Sequence, residues 1–139
     1  MGYKQANSAS HSLMNNIIKL CSGLRLLGQE KHAQELEQNF INYNIENFKI
    51  AKDIFPFDKD LLTGEVNFYI RFGVVNTNSY EAFKEATFYD PYAANLLGAQ
   101  MQQAFLLNDN NNAVALFYKL REMFPKLPIV QELIKRGAR

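Results

Sequence analysis

A single cysteine and two histidines limit the chemistry available to this chain of 139 residues. One cysteine cannot form an internal disulfide, and one cysteine with two histidines does not complete a common four-ligand zinc site. Fifteen Lys and Arg balance fourteen Asp and Glu, so the net charge of +1 creates no global field to attract nucleic acid or anionic lipid. The seven glycines are scattered and form no phosphate-binding motif. These features argue against most enzyme classes.

No stretch of the sequence is apolar enough to predict a membrane span. The longest apolar region, residues 13–27, is interrupted by Asn15, Asn16, Lys19, Ser22 and Arg25. Spanning a bilayer takes about 20 predominantly apolar residues. The first twelve residues are polar and lack the apolar core of a signal peptide. We expect a soluble protein, cytoplasmic or within a macromolecular assembly, with no membrane partner and no recognisable secretion signal.

Length and composition predict one globular domain. Apolar residues make up 47% of the chain and charged residues 21%, which is typical of globular proteins. A chain of this size buries roughly 70% of its unfolded surface, enough for a core without metal or disulfides. We predict a flexible N-terminal tail over residues 1–9 and a single all-α domain over residues 10–139.

Apolar residues at helical spacing predict six or seven helices that pack as antiparallel hairpins. Gly28 is expected to end the first helix, since glycine tolerates the left-handed conformation of a helix end. The second helix is expected to bend or break near residues 43–45 and to end before Pro56. Asn78 and Glu81 have capping-box spacing, and Asp90-Pro91 is predicted to open the next helix.

Residues 65–75 also have the alternating pattern of a strand. A lone strand would leave its backbone unpaired, so a helix is the preferred prediction, and a short strand is the alternative. A helix would direct Val66 and Ile70 inward and Asn67 and Arg71 outward.

Three prolines, Pro56, Pro91 and Pro125, are separated by 35 and then 34 residues. A phenylalanine stands eight residues before each proline, and a small or apolar residue stands five before it. These residues are Phe48, Phe83 and Phe117, then Ala51, Ala86 and Leu120. The pattern loosely resembles the tetratricopeptide repeat, a helix–turn–helix unit of about 34 residues. The resemblance covers residues 44–125 and is best over 78–125. It departs in the first helix of the repeat, where the family has Trp or Leu, then Leu-Gly, then Tyr, and this chain has Leu97, Gln100-Met101 and Ala104.

The resemblance implies a stacked array of helix pairs whose concave side binds other proteins. Transferring the pattern places six candidate partner-binding residues on that side: Phe68, Arg71, Phe72, Asn95, Gln102 and Phe105. The alternative is that the three phenylalanines among them belong to the core, and this alternative is preferred.

Residues able to support catalysis are not grouped in the sequence. His11 and Cys21 are ten residues apart, which is about 15 Å along a helix. His32 and Glu35 could share a metal ion, but no second His or Cys completes the site, so a solvated helix face is preferred. We therefore predict a protein without catalytic residues, cofactor, metal or small-molecule substrate.

The sequence indicates two classes of function. The first is a protein–protein interaction or structural subunit of a larger assembly, with other proteins or copies of itself as partners. Small, nearly neutral helical proteins rich in asparagine also occur as minor components of virus or phage particles, and this composition resembles theirs. The alternative is a small regulatory or nucleic-acid-associated factor that uses the basic residues of its C-terminal end: Lys126, Lys135, Arg136 and Arg139.

Overall fold

A computed structural model describes residues 3–137, with side chains from Leu13 onward. This part of the chain contains seven α-helices and no strand, which confirms the prediction of an all-α protein. The helices are α1 (Tyr3–Leu26), α2 (Glu30–Ile54), α3 (Lys59–Phe72), α4 (Thr77–Tyr89), α5 (Ala94–Leu106), α6 (Asn110–Met123) and α7 (Pro128–Lys135).

Helix α1 begins at Tyr3 rather than at Ser10, because the residues between them include no proline or glycine to interrupt a helix. It thus includes most of the segment predicted as a tail over residues 1–9, while Met1 and Gly2 lie outside the described residues. Contacts divide the chain into two compact units, Met1–Gly64 and Glu65–Arg139. A flexible tail and a single domain over residues 10–139 stay predictions.

The ambiguous segment over residues 65–75 is helical up to Phe72, so the helix prediction is confirmed and the strand alternative is wrong. Val66 is buried, and Asn67 and Arg71 are exposed, as predicted. The prediction for Ile70 is wrong, because this side chain is about half exposed. The buried face of α3 is formed by Leu61, Leu62, Glu65, Val66, Phe68 and Tyr69. At 100° per residue, Ile70 lies at the edge of that face.

Two kinds of turn alternate along the described chain. In the first kind, a residue with a left-handed backbone ends a helix, and these residues are Gly28 (φ 77°), Gly73 (φ 61°) and Asn108 (φ 63°). In each case the next N–H donates to the carbonyl five residues earlier, at 2.8, 3.0 and 2.8 Å respectively. This bond satisfies a carbonyl at the helix end. The prediction for Gly28 is confirmed, and glycine or asparagine is used where φ must be positive.

The second kind of turn contains Pro56, Pro91 or Pro125. The residue before each proline leaves the helical conformation, with ψ values of 70°, 78° and 64°. Its N–H still donates to the carbonyl four residues earlier, and its carbonyl accepts from the N–H three residues later. The three turns therefore share one hydrogen-bond pattern. Asp90 and Pro91 thus close α4 and do not open α5, which is a correction to the sequence-based prediction.

Two further local predictions are corrected. Helix α4 is capped by Asn76, whose side chain accepts from the Ser79 N–H at 2.9 Å, and the Ser79 hydroxyl accepts from the Asn76 N–H at 2.9 Å. This capping box uses Asn76 and Ser79 rather than Asn78 and Glu81. Helix α2 is continuous over Glu30–Ile54 and does not break near residues 43–45, because no proline or glycine interrupts it.

The core of the second unit joins α5, α6 and α7. Its buried members are Leu97, Met101, Phe117, Leu120 and Val130. Leu97 on α5 and Phe117 on α6 therefore belong to one cluster. A smaller cluster of Tyr80, Ala104 and Ala113 joins α4 to α5 and α6. These contacts fix the orientation of α5, whose opposite face forms the site described below.

A buried polar side chain attaches α5 to the turn between α3 and α4. Gln103 Nε2 donates to the Val74 carbonyl at 2.7 Å, and Gln103 Oε1 accepts from the Ser79 hydroxyl at 2.7 Å. Gln103 and Ser79 are both buried. Because water cannot replace these partners easily, the amide sets the position of α5 along α4.

We expect Gln103→Met to lower the free energy of unfolding by about 1–3 kcal/mol, because the buried Val74 carbonyl loses its donor. Urea unfolding monitored by circular dichroism measures the loss. The adjacent Gln102→Met is the matched control, since Gln102 is exposed, and its effect should stay within about 0.5 kcal/mol. Equal effects of the two substitutions would contradict a positioning role for Gln103.

The first unit contains the antiparallel hairpin of α1 and α2. The buried Cys21 Sγ lies 3.6 Å from the Ala33 carbonyl and donates to it. Arg25 on α1 pairs with Glu30 and Glu37 on α2, each at 3.2 Å. These contacts define which side of each helix faces the other.

Candidate binding groove

An open groove lies between α5 and α7 in the second unit. It has a volume of about 640 Å³ and is lined by Ala94, Asn95, Gly98, Ala99, Gln102, Leu127, Pro128 and Ile129. None of these residues carries a charge. A volume of this size is in the range of known ligand pockets, although the groove is open along one side.

Small residues on α5 form the floor of the groove. Ala94, Gly98 and Ala99 follow one another within little more than one helical turn, and each is half-buried. A Cβ atom added at Gly98 would meet nothing within 4 Å, and the backbone of Gly98 has no positive φ. Gly98 is therefore not required by the fold, and its effect is to leave open space above α5.

Two side-chain amides, Asn95 and Gln102, lie along the groove on α5. Both are exposed, and neither has a hydrogen-bond partner among residues 13–137. They are seven residues apart, which places them on one face of the helix about 10.5 Å apart along its axis. Each amide can donate and accept a hydrogen bond. The groove thus offers two polar anchors above an apolar floor.

The structure brings together two of the six predicted partner-binding residues. Asn95 and Gln102 line the groove, whereas Phe105 on α5 is exposed beyond it. On α3, Phe68 is buried and its ring lies 4.9 Å from the half-buried Phe72. Arg71 is exposed on the same helix. Phe68 is therefore a core residue, as in the preferred alternative, whereas that alternative is wrong for Phe105, which is 41% exposed.

The sequence did not identify most of the groove. Leu127, Pro128 and Ile129 at the start of α7 form the opposite wall, and the helical spacing of Ala94 and Gly98 with Leu97 and Met101 predicts burial in the core for both. A signal was present, since three small residues within six positions indicate a helix that a ligand or a neighbour can approach closely. The spacing alone does not show whether a ligand or a neighbouring helix lies against these small residues.

In the second unit, two tyrosine hydroxyls that each donate a hydrogen bond to a carboxylate have raised pKa values. Burial, together with the Glu65 carboxylate that accepts from the Tyr69 hydroxyl at 2.8 Å, raises the pKa of Tyr69. Burial and a 2.8 Å hydrogen bond to Asp109 raise the pKa of Tyr80 to about 12. Hydrogen bonds from Asn112 and Tyr80 lower the pKa of the Asp109 carboxyl. At neutral pH both phenols keep their protons and act as hydrogen-bond donors. Tyr69 connects two turns of α3, and Tyr80 connects α4 to Asp109 at the start of α6.

The other candidate reactive groups are separate from the groove. Burial raises the pKa of the Cys21 thiol, which fits a structural cysteine rather than a nucleophile. His32 is exposed, and its Nδ1 lies 2.7 Å from Gln29 Oε1. The described residues contain no group of three His, Cys, Asp or Glu that could hold a metal ion. The side chain of His11 and residue Arg139 lie outside the described part of the chain.

None of the helices over residues 3–137 is long and apolar enough to cross a bilayer. Comparisons with protein-family models, with curated proteins and with solved structures found no match to this chain.

Proposed function

We propose that this protein is a non-catalytic interaction module that binds an extended segment of another protein in the groove between α5 and α7. The observation that carries the proposal is the pair of unpartnered amides, Asn95 and Gln102, above an apolar floor. Their separation of about 10.5 Å matches three residues of an extended peptide, which rises about 3.3 Å per residue. Each amide can therefore bond one peptide group of the same bound chain.

The proposed ligand has small or aliphatic side chains. The groove lining is uncharged, and its apolar walls are Leu127, Pro128 and Ile129. A peptide whose alternate side chains enter the groove would bury apolar surface while its backbone bonds the two amides. A nucleic acid would need cations along its phosphates, which this lining does not supply.

We further propose that the helices form a tetratricopeptide-like array, with the groove on one of its surfaces. Support comes from the alternation of left-handed and proline turns, and from the shared hydrogen-bond pattern of the three proline turns. In such an array the protein would act as a structural or adaptor subunit of a larger assembly, of which a virus or phage particle is one example.

We expect a Gly98→Leu substitution to block the groove while preserving the fold. The new side chain enters open space, and replacing glycine inside a helix adds up to about 1 kcal/mol of stability. The probe is a peptide selected from a random library displayed on phage, with the full chain as bait. Isothermal titration should show an affinity at least 10-fold lower for Gly98→Leu, which corresponds to about 1.4 kcal/mol.

Gly23→Leu is the matched control, because Gly23 is a helical glycine with equally open space in the first unit. Its affinity for the selected peptide should equal that of the unmodified chain. Failure to select any peptide, or binding that Gly98→Leu does not weaken, would overturn the proposal. Salt-dependent binding of mixed-sequence DNA or RNA would instead favour the nucleic-acid alternative. In that case Lys126, Lys135 and Arg136 are the residues to substitute, although Arg136 already pairs with Glu132 at 3.1 Å.

A further inference from the structure

The hairpin of α1 and α2 leaves a large apolar stripe exposed on α1. The buried residues Met14 and Cys21 lie on one side of this helix. On the adjacent side, Leu13, Leu20 and Leu27, the last just after the end of α1, follow one another at intervals of seven residues and are 48%, 52% and 77% exposed. Ile17 and Leu24 lie between them and are half-buried. Alternating steps of four and three residues are the spacing of a helix–helix seam.

Helix α2 has an equivalent stripe. Tyr43, Ile50 and Ile54 are 64%, 57% and 64% exposed. The half-buried Leu36 and Phe40 continue the same stripe toward the start of α2, again in steps of four and three. The buried residues of α2 that precede and follow Tyr43, Ile41 and Ile45, lie on the other side of the helix.

Both stripes lie on the same side of the hairpin. Cys21 and Arg25 mark the side of α1 that faces α2, and Ala33 and Glu37 mark the side of α2 that faces α1. At 100° per residue, each stripe is rotated by roughly 90° from that contact, in the same sense along the chain. Because the helices are antiparallel, these equal rotations bring the stripes together. We call the combined surface the leucine face, formed by Leu13, Ile17, Leu20, Leu24, Leu27, Leu36, Phe40, Tyr43, Ile50 and Ile54.

We propose that the leucine face binds the same face of a second copy of this chain, so that two hairpins form a four-helix bundle. The area of the face is the first reason. Its six most exposed side chains present roughly 600 Å², if a fully exposed large side chain offers about 150–250 Å². That equals or exceeds the largest apolar patch of typical monomers, about 300–600 Å². It also approaches the roughly 800 Å² that each partner of a standard interface buries.

Charge complementarity is the second reason for a second copy. Helix α1 carries lysine and arginine but no carboxylate, whereas α2 carries five carboxylates and three lysines. A two-fold dimer can set α1 of one copy against α2 of the other, which pairs helices of opposite charge. Lys19 and Glu35 lie on the sides of α1 and α2 that face away from the hairpin contact. Both are exposed and without a partner among residues 13–137, so we assign them to an ion pair between copies.

Sedimentation equilibrium of the full chain at micromolar concentrations tests the proposal. The expected mass is that of two chains of 16.0 kDa. Leu20→Glu should raise the dissociation constant of the dimer by about 100-fold or more, because it places an unpaired charge in the interface. Leu27→Glu is a second variant at a position that is still more exposed. Circular dichroism should show unchanged helix content for both, since the two side chains are solvated in the monomer.

Leu106→Glu is the matched control, because Leu106 is an exposed leucine in the second unit. This variant should dimerise as the unmodified chain does. A charge exchange then tests the arrangement of the helices: Lys19→Glu weakens the dimer several-fold, and adding Glu35→Lys restores it. Restoration would not occur if α1 packed on α1.

Three results would overturn the proposal. The unmodified chain could remain monomeric over the whole micromolar range. The dimer could persist in Leu20→Glu and Leu27→Glu with unchanged affinity, or Leu106→Glu could dissociate it, either of which would place the interface on another surface. A result of this kind leaves the peptide groove of the second unit unaffected, so failure of the two proposals can be distinguished.

Discussion

Replacing Phe117 by alanine is expected to lower the free energy of unfolding by about 3–5 kcal/mol. The Phe117 side chain is 4% exposed and belongs to the cluster that joins α5, α6 and α7. Alanine would remove its packing against Leu97 and Leu120 and leave a cavity that the surrounding helices fill only in part. Urea unfolding monitored by circular dichroism at 222 nm measures the change.

The neighbouring Tyr118 supplies the control for this substitution. Tyr118 is 45% exposed, and its ring lies 4.9 Å from the Arg121 guanidinium carbon. Tyr118→Ala should therefore cost about 1 kcal/mol or less. A loss below about 1 kcal/mol for Phe117→Ala would place this side chain at the surface, and it would contradict the packing of the second unit.

Proline at position 67 is expected to destabilise the protein by about 3 kcal/mol or more. Asn67 lies in the interior of α3, and its side chain is exposed. The substitution therefore loses no side-chain packing, and its cost comes from the missing backbone N–H and from the clash of the ring with the preceding turn. Urea unfolding gives the cost, and circular dichroism reports any loss of helix.

Asn67→Ala separates the backbone effect from the loss of the asparagine side chain. Because alanine has the higher helix propensity, this variant should be as stable as the unmodified chain or more stable by up to about 0.7 kcal/mol. If Asn67→Pro cost less than about 1 kcal/mol, residues 65–75 would not be a helix in solution, since only a solvent-facing strand edge or a turn tolerates proline so well.

The helices could be predicted because several local signals agreed. Pro56 and Pro125 end helices by a steric effect on the preceding residue, and Gly28 ends one through its positive φ. The sequence-based prediction was wrong where two possible helix-capping pairs of similar strength were close together. Asn78 and Glu81 have capping-box spacing, yet Asn76 and Ser79 form the cap, because the burial of Ser79 against Gln103 decides where α4 begins.

The side of a helix that faces its neighbour was harder to predict. Helix α5 has one broad apolar stripe, and its periodicity does not show that Leu97 enters the core while Gly98 opens into a groove. The leucine face presents the same difficulty, because Met14 and Leu13 both fit a helical stripe although only Met14 is buried. Which apolar residues of a helix are buried depends on how neighbouring helices pack against it, and the spacing along one helix does not reveal that packing.

Asn95 and Gln102 were predicted as partner-binding residues by a different route, and that role stays a prediction. Their positions followed from the resemblance to the tetratricopeptide repeat, and the structure places both in the groove. The same transfer included Phe68, which is buried. Large aromatic side chains contribute far more to stability by burial than amides do, which accounts for the burial of Phe68, whereas Phe105 stays exposed.

The most direct test of the proposed function is a map of the peptide-binding site on the full chain. Amide chemical shifts are followed by nuclear magnetic resonance while the peptide selected from the library is added. The proposal predicts that the largest shifts fall along α5 from Asn95 to Gln102 and at the start of α7, at Ile129. Shifts confined to other surfaces, or an unchanged spectrum, would contradict the assignment of this groove as the binding site.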